Sequence, residues 1–255
     1  MSVPARVTSL YRYPVKGLSG ERLKRVALEK DATFPADRAF AIENGPSGFD
    51  PAAPSWQPKI KFLCLMRNAK LAALDTLFDD TSGVLAVSKD GVPMIEASLK
   101  TEAGRAAIEY FFQEFMAGDT RGPLRVLEAP GHSFSDVSAK VAHIINLASL
   151  ADLSASIGKE IEPLRFRANI YVEGWAPWIE NDLIGKMIAI GDVTLNVKKR
   201  TGRCAATEVN PGTAERDIDV PEALWRQTGD ADCGIYASVV TPGKISEGDV
   251  IKILD

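Results

Sequence analysis

The second half of this chain is cut into short apolar runs bounded by turn residues, and that pattern restricts the fold more than any other feature. "MIAIGDVTLNV" (187–197) reads as two strands joined by the two-residue turn Gly191-Asp192. "RFRANIYVEG" (165–174) alternates strictly, so that Phe166, Ala168, Ile170 and Val172 face one way and Arg165, Arg167, Asn169 and Tyr171 the other. On this reading Arg167 and Asn169 share a strand face. "CGIYASVV" and "GDVIKIL" add further short strands. Many short strands with one apolar face are buried most simply by closing the sheet, which predicts a barrel.

Two helices stand out. In "TEAGRAAIEYFFQEFMAG", Thr101 is placed to cap a helix with the apolar face Ala103, Ala107, Tyr110, Phe111 and Phe115, ending near Gly118. In "ASLADLSASIG", Ser149 followed by Asp152 fits a capping box, Leu150, Leu153 and Ile157 form the stripe, and Gly158 ends it. It is the one helix expected in the second half. The first forty residues read as strands and turns, with Phe40 and Ile42 alternating against Ala39 and Ala41. Residues 44–58 hold eight Gly, Pro or Ser in fifteen positions and are expected to be loop. A loop that long is commonly a functional or mobile one. The fold class expected is mainly β with some α (α+β). The polar turn "GDTRGP" (118–123) puts a domain boundary near residue 120, dividing the 255 residues into 1–120 and 121–255.

A formal net charge of -4 argues against general affinity for nucleic acid or acidic membranes. No apolar run approaches the roughly 20 residues of a membrane span, and the first residues lack an apolar secretory core, so a cytoplasmic protein is expected. Cys64, Cys204 and Cys233 lie far apart with no C-x-x-C pair. That spacing suggests neither disulfides nor structural zinc, and three thiols fall short of the four that usually hold an iron–sulfur cluster.

Walker, G-x-G-x-x-G, G-x-S-x-G and H-E-x-x-H signatures are all missing from the sequence. His132 and His143 are the two histidines, neither with a nucleophile partner nearby in sequence. Cys204 is the residue that draws notice: Lys198, Lys199, Arg200 and Arg203 precede it within six positions. Neighbouring positive charge favours thiolate, the form that attacks electrophiles or binds metal. Spacing alone leaves nucleophile, ligand and simple packing all open. Cys64, inside apolar "KFLCLM", and Cys233 are expected to pack.

"YRYPVKG", "DRAFAIE", "RFRANIYVEG" and "GRCAATEVNPGT" occur in an order that resembles the MOSC family, named for the C-terminal domain of molybdenum cofactor sulfurases, together with its companion N-terminal β-barrel domain. The resemblance covers essentially the whole chain. It implies a β-barrel MOSC domain behind a smaller barrel-like domain, and relatives that include the amidoxime-reducing component and bacterial reductases of N-hydroxylated bases. It implies a molybdenum cofactor ligated by Cys204, with Lys16, Gly17, Arg38, Ser149, Arg167, Asn169 and Arg203 as cofactor contacts. A thiolate suits a metal already held by soft dithiolene sulfurs. Ser149, at a helix N-terminus, either meets a phosphate or only caps its helix. Gly17 stands where many relatives have serine, Ala168 where they have proline, and residues 43–59 depart from the family pattern, leaving substrate choice open.

The activity so implied is reduction of N-hydroxylated or related N-oxygenated small molecules. Some relatives append a ferredoxin-like domain and this chain ends at Asp255 without one. Electrons are therefore expected from another protein, such as a flavin or iron–sulfur reductase or a cytochrome b5-like donor. A sulfur transferase or carrier using a Cys204 persulfide, and a cofactor carrier without turnover, are the alternatives. Pyridoxal phosphate, used by full-length sulfurases through a separate domain, is not expected.

Overall fold

The computed structural model describes residues 4–254. In chain order the elements are β1 (Arg6–Arg12), β2 (Glu21–Leu23), β3 (Arg25–Leu28), β4 (Phe40–Asn44), β5 (Asp75–Phe78), β6 (Val84–Lys89), β7 (Val92–Ser98), α1 (Glu102–Phe115), β8 (Leu124–Glu128), β9 (Ala142–Asn146), α2 (Leu147–Ile157), β10 (Ile170–Glu173), β11 (Met187–Ile190), β12 (Val193–Gly202), α3 (Val220–Thr228), β13 (Asp232–Thr241), β14 (Gly243–Ser246) and β15 (Ile251–Leu254). The fold is mainly β with three α-helices among the described residues.

Eight strands form one sheet in the order β15-β11-β12-β13-β9-β10-β1-β2. All neighbours are antiparallel except β9 and β10, which are joined through α2. The sheet curls until its far strand returns to the start of β1, where Ile251 N–H donates to Ala5 O (2.8 Å) and Gly248 N–H to Val7 O (2.8 Å). Closure removes an open edge that would otherwise need protection. Inside lie Leu10, Ile144, Val172, Leu195 and Ile235, all fully or nearly fully buried. The expected hairpin is present, with Ile190 paired to Val193 around Gly191-Asp192. Because β1 and β2 come from the first 120 residues, the large sheet is built from both halves of the chain.

A second core, formed by Phe40, Leu63, Leu85, Ile108 and Phe112, lies under the three-stranded sheet β5-β6-β7 and α1. Thr101 caps α1 as expected, accepting from Gly104 N–H (3.1 Å). No strand or helix occurs between Asn44 and Lys59, in keeping with the Gly/Pro/Ser content there.

Four expectations need correction. Helix α1 turns Ile108 and Phe112 inward, while Ala103, Ala107 and Tyr110 of the expected apolar face are exposed. Residues 165–172 are not one strand: Pro163–Phe166 coil into a 3-10 turn, Arg167 ends it in the left-handed region at φ 52°, and the strand runs only from Ile170 to Glu173. Proline lacks an amide donor and its fixed φ suits the first turn of a helix, so it overrides the alternation. Helix α2 is capped by Asn146, whose Oδ1 accepts from Ala148 N–H (3.1 Å), and Ser149 lies inside the first turn. A second helix also occurs in the second half: α3, opened by Asp219, which accepts from Glu222 N–H (2.9 Å).

Gly234 sits in β13 at φ 81°, where an added Cβ would lie 2.6 Å from Ile144 O in the neighbouring strand. Gly234→Ala is expected to destabilise the protein by more than ~1 kcal/mol, because both the dihedral and the space are denied to it. Urea denaturation checks this, and an unchanged midpoint would contradict it.

Candidate functional site

A cavity of about 270 Å³ opens between the curled sheet and the N-terminal core. Its wall is assembled from segments far apart in sequence: the loop after β1, the loop before β4, the turn following Pro58, the loop before β9, the turn before β10, and the end of β12. Eight lysines and arginines line it against two aspartates, a local reversal of the chain's net negative charge.

Cys204 lies at the mouth of this cavity, half-buried, just past the end of β12. Its carbonyl is fixed by Thr207, which donates through both its N–H (2.9 Å) and its hydroxyl (2.9 Å). The basic residues adjacent in sequence do not touch its sulfur. Lys199 lies over the Tyr236 ring, Arg200 pairs with Asp230, and Arg203 turns to Phe166 and His143. The ammonium against the sulfur is instead that of Lys59, with Nζ 3.1 Å from Sγ. Nothing in the local sequence around Cys204 signals a partner 145 positions away.

Lys59 is held by Asp136, whose Oδ2 lies 2.8 Å from Nζ. The other oxygen of Asp136 pairs with Lys16, whose Nζ also donates to Phe134 O (2.8 Å). One carboxylate therefore bridges two ammonium groups. Burial alone would raise the Asp136 pKa, but Lys16 and then Lys59 outweigh it and hold the carboxyl well below the ordinary range. Burial would lower Lys59, yet Asp136 and then Cys204 hold it above the usual lysine value. Lys16 is buried deeper, and burial wins there, so its pKa is lowered despite Asp136. Gly17 follows at φ 85°, with a would-be Cβ 2.9 Å from Leu63 O, which accounts for glycine at this position.

Two arginines share one aromatic ring. Arg38 and Arg167 both place their guanidinium carbons over Tyr13, at 4.5 and 4.2 Å from the ring centre. Arg38 pairs with Asp37 (2.5 Å) and donates to Arg167 O (3.0 Å), and Arg167 donates to Leu18 O (2.7 Å). Burial and then the Arg38 charge bring the Arg167 pKa down to about 10. Arg38 is raised, because Asp37 outweighs the cost of its burial. Both residues adopt left-handed backbone at φ 52°, a conformation that costs about 1–2 kcal/mol for a residue with a side chain. Such positions cluster at functional sites.

Arg203 donates to Phe166 O (2.7 Å) and lies 3.2 Å from His143 Nε2. His143 is buried, and burial with the Arg203 charge keeps its pKa well below the ordinary value. Asn169 reaches the cavity wall, but its Oδ1 accepts from His143 N–H (3.0 Å) and its Nδ2 donates to Tyr11 O (3.2 Å). Its amide therefore ties β9 to β1.

Lys16, Gly17, Arg38, Arg167, Asn169, Arg203 and Cys204 thus meet at one cavity. Ser149 does not: it is fully buried, donating to Glu180 Oε1 (2.7 Å) and accepting from Trp178 N–H (2.8 Å). Cys64 is buried yet borders the cavity, and Cys233 is buried in the core beneath α2 and α3. Burial pushes the thiol of Cys233 up to about 12. His132 packs beside Phe49 and Phe134, away from the cavity.

Four buried polar atoms on cavity residues have no hydrogen-bond partner: Arg165 Nε, Arg167 Nη2, Arg203 Nε and Thr201 Oγ1. Buried donors left unpaired are costly, so a site that leaves them together is suited to an anionic ligand. Among the described residues no group of three or more His, Cys, Asp or Glu could hold a metal. A metal bound at Cys204 would have to arrive with most of its own ligands. The residues present fit a group that combines an anion with a metal of that kind.

Residues 4–122 match the MOSC N-terminal beta barrel domain and residues 129–252 the MOSC domain. The human mitochondrial amidoxime-reducing component 1 is 30% identical over 134 residues, 48% of this chain and 39% of that protein. Molybdenum cofactor sulfurase of Caenorhabditis elegans is 28% identical over 252 residues, 90% of this chain and 33% of that protein. The chain thus spans between a third and two-fifths of these relatives' length. The crystal structure of the YuaD protein from Bacillus subtilis aligns over 99% of this chain and 97% of that one, at 14% identity and a TM-score of 0.47.

Two outcomes follow from the ion pairs. The contribution of Asp136 to stability is present above the unfolded carboxylate pKa and is lost as pH falls through its depressed folded value. Asp136→Asn should therefore flatten the acid side of the stability profile, read as melting temperature between about pH 5 and pH 2. An acid limb identical to wild type would contradict the pairing. Lys59→Met is expected to slow alkylation of Cys204 by iodoacetamide at neutral pH severalfold, with Lys59→Arg closer to wild type. Equal rates in all three proteins would show that the contact does not influence the sulfur.

Proposed function

We propose, on the premise that this chain belongs to the MOSC domain family, that it is a cytoplasmic molybdenum-cofactor-binding oxidoreductase reducing N-hydroxylated or related N-oxygenated small molecules. The observation that carries the reading is a half-buried thiol at a cationic cavity on whose residues four buried polar atoms lack partners. The names of two relatives, an amidoxime-reducing component and a molybdenum cofactor sulfurase, agree with molybdenum chemistry of this class.

In this reading Cys204 supplies the protein's soft ligand to the metal. Arg38, Arg167 and Arg203 offer guanidinium donors to the anionic part of the cofactor, and Lys16 adds a buried ammonium. Gly17 presents backbone where no side chain fits. Asn169 acts indirectly, by fixing the strands on either side. Lys59 balances negative charge at the sulfur, and Asp136 keeps Lys59 in place. When bound, the cofactor supplies the two-electron chemistry that takes oxygen from the substrate. Electrons come from a separate donor protein, either a flavin or iron–sulfur reductase or a cytochrome b5-like protein. We place the division between the two domains near residue 120.

A second reading makes the chain a sulfur carrier holding a Cys204 persulfide. The Lys59 contact favours it as well, because an ammonium beside the sulfur also stabilises a persulfide anion. Protein made in a host that synthesises the cofactor separates the two. The reductase reading predicts molybdenum and pterin in the purified protein, and reduction of a hydroxylamine with an artificial electron donor that falls at least about a hundredfold in Cys204→Ser. Protein free of molybdenum and pterin that carries one labile extra sulfur on Cys204, detected by intact mass spectrometry, would overturn it in favour of sulfur transfer.

A further inference from the structure

We infer that Tyr13 is the positioning residue that holds Arg38 and Arg167 together as one anion seat, using the face of its ring and not its hydroxyl. This rests on the reading of the cavity as an anion site.

Two buried guanidinium groups repel one another, and in this cavity the repulsion is not cancelled by one carboxylate each. Arg38 has Asp37, but Arg167 has no carboxylate partner and spends its bonds on Leu18 O, leaving Nη2 unpaired. Apart from the bond that Arg38 donates to Arg167 O, what the two share is Tyr13, with both guanidinium carbons within 4.5 Å of its ring centre. The negative π-face of an aromatic ring attracts a cation, and more strongly when water is excluded. Tyr13 is almost fully buried, at 1% exposure, so the excluded-water condition is met. The hydroxyl makes no well-formed hydrogen bond among the described residues, so it does not explain why an aromatic ring lies here.

The ring is itself aimed by its surroundings. Tyr13 N–H donates to Asp37 Oδ1 (2.9 Å) and Arg38 N–H to Tyr13 O (2.7 Å), which locks ring, carboxylate and first guanidinium into one unit. The other side of the unit is set by Gly20: a Cβ added there would fall 2.5 Å from the Tyr13 ring. Gly20 has no positive φ to require glycine, so the room it leaves is for the ring. Two like charges held on one ring cost energy until an anion pairs with them, and the seat is thereby pre-organised for phosphate.

The test is binding of inorganic phosphate to purified full-length protein by isothermal titration calorimetry, with melting temperature measured on each variant. Tyr13→Phe keeps the ring and should bind phosphate as wild type does. Tyr13→Leu removes the π-face and should weaken binding by about three- to thirty-fold. Gly20→Ala displaces the ring without removing a charge and should weaken binding in the same direction, which decides the matter should Tyr13→Leu not fold. Affinity unchanged in Gly20→Ala and in folded Tyr13→Leu, or lost in Tyr13→Phe, would overturn the role of the ring while leaving the anion seat standing. Wild-type protein that binds no phosphate would overturn the seat and this inference together.

Discussion

The crowding of positive charge around one sulfur is the constraint that organises this molecule. Lysines and arginines from five separate segments converge on a cavity in a chain that is acidic overall. Each buried cation is held by something specific. Asp136 bridges Lys16 and Lys59, Asp37 holds Arg38, and backbone carbonyls of Leu18 and Phe166 take Arg167 and Arg203. Those partners satisfy some donors and leave others open, and the open ones lie on the cavity residues. Taking a charge out of water is unfavourable unless it is paired, so an assembly with surplus cations is one prepared for an anion.

The fold exists in a form that delivers these groups to one place. The closed sheet fixes β9, β10 and β13 side by side, which sets His143, Asn169 and Tyr236 on one wall. The left-handed residues Arg38 and Arg167 then turn the chain where a strand would have carried it past the cavity. Gly17 and Gly234 are among the glycines whose backbone geometry and lack of a side chain let adjoining segments approach so closely.

Local sequence revealed the parts that depend on local forces. The hairpin at Gly191-Asp192, the Thr101 cap and the Gly158 stop are decided by dihedral preference within a few residues, and they appear as the pattern predicts. Ser149 looked like a cap because its spacing to Asp152 is right, but Asn146 at the end of β9 takes the role and buried Glu180, from a later segment, takes the hydroxyl. The alternation from Arg165 to Val172 was real as a pattern and lost to Pro163 as a structure. Lys59 and Asp136 were invisible because each gains meaning only from a partner far along the chain, and they lie in a single short 3-10 turn and a loop, neither of which has a readable periodicity. The family resemblance, by contrast, named Cys204, Lys16, Arg38, Arg167 and Arg203, which the structure gathers at one cavity and local pattern alone could not, and also Ser149, which lies elsewhere.

The proposed function requires the sulfur of Cys204 to be the protein's bond to a metal that brings its remaining sulfur ligands with it. X-ray absorption at the molybdenum edge, on cofactor-loaded protein, counts those ligands directly. Wild-type protein should show a third sulfur beyond the two of the dithiolene, and Cys204→Ser should lose that scatterer while retaining the pterin pair. Spectra that superimpose for the two proteins would contradict the account.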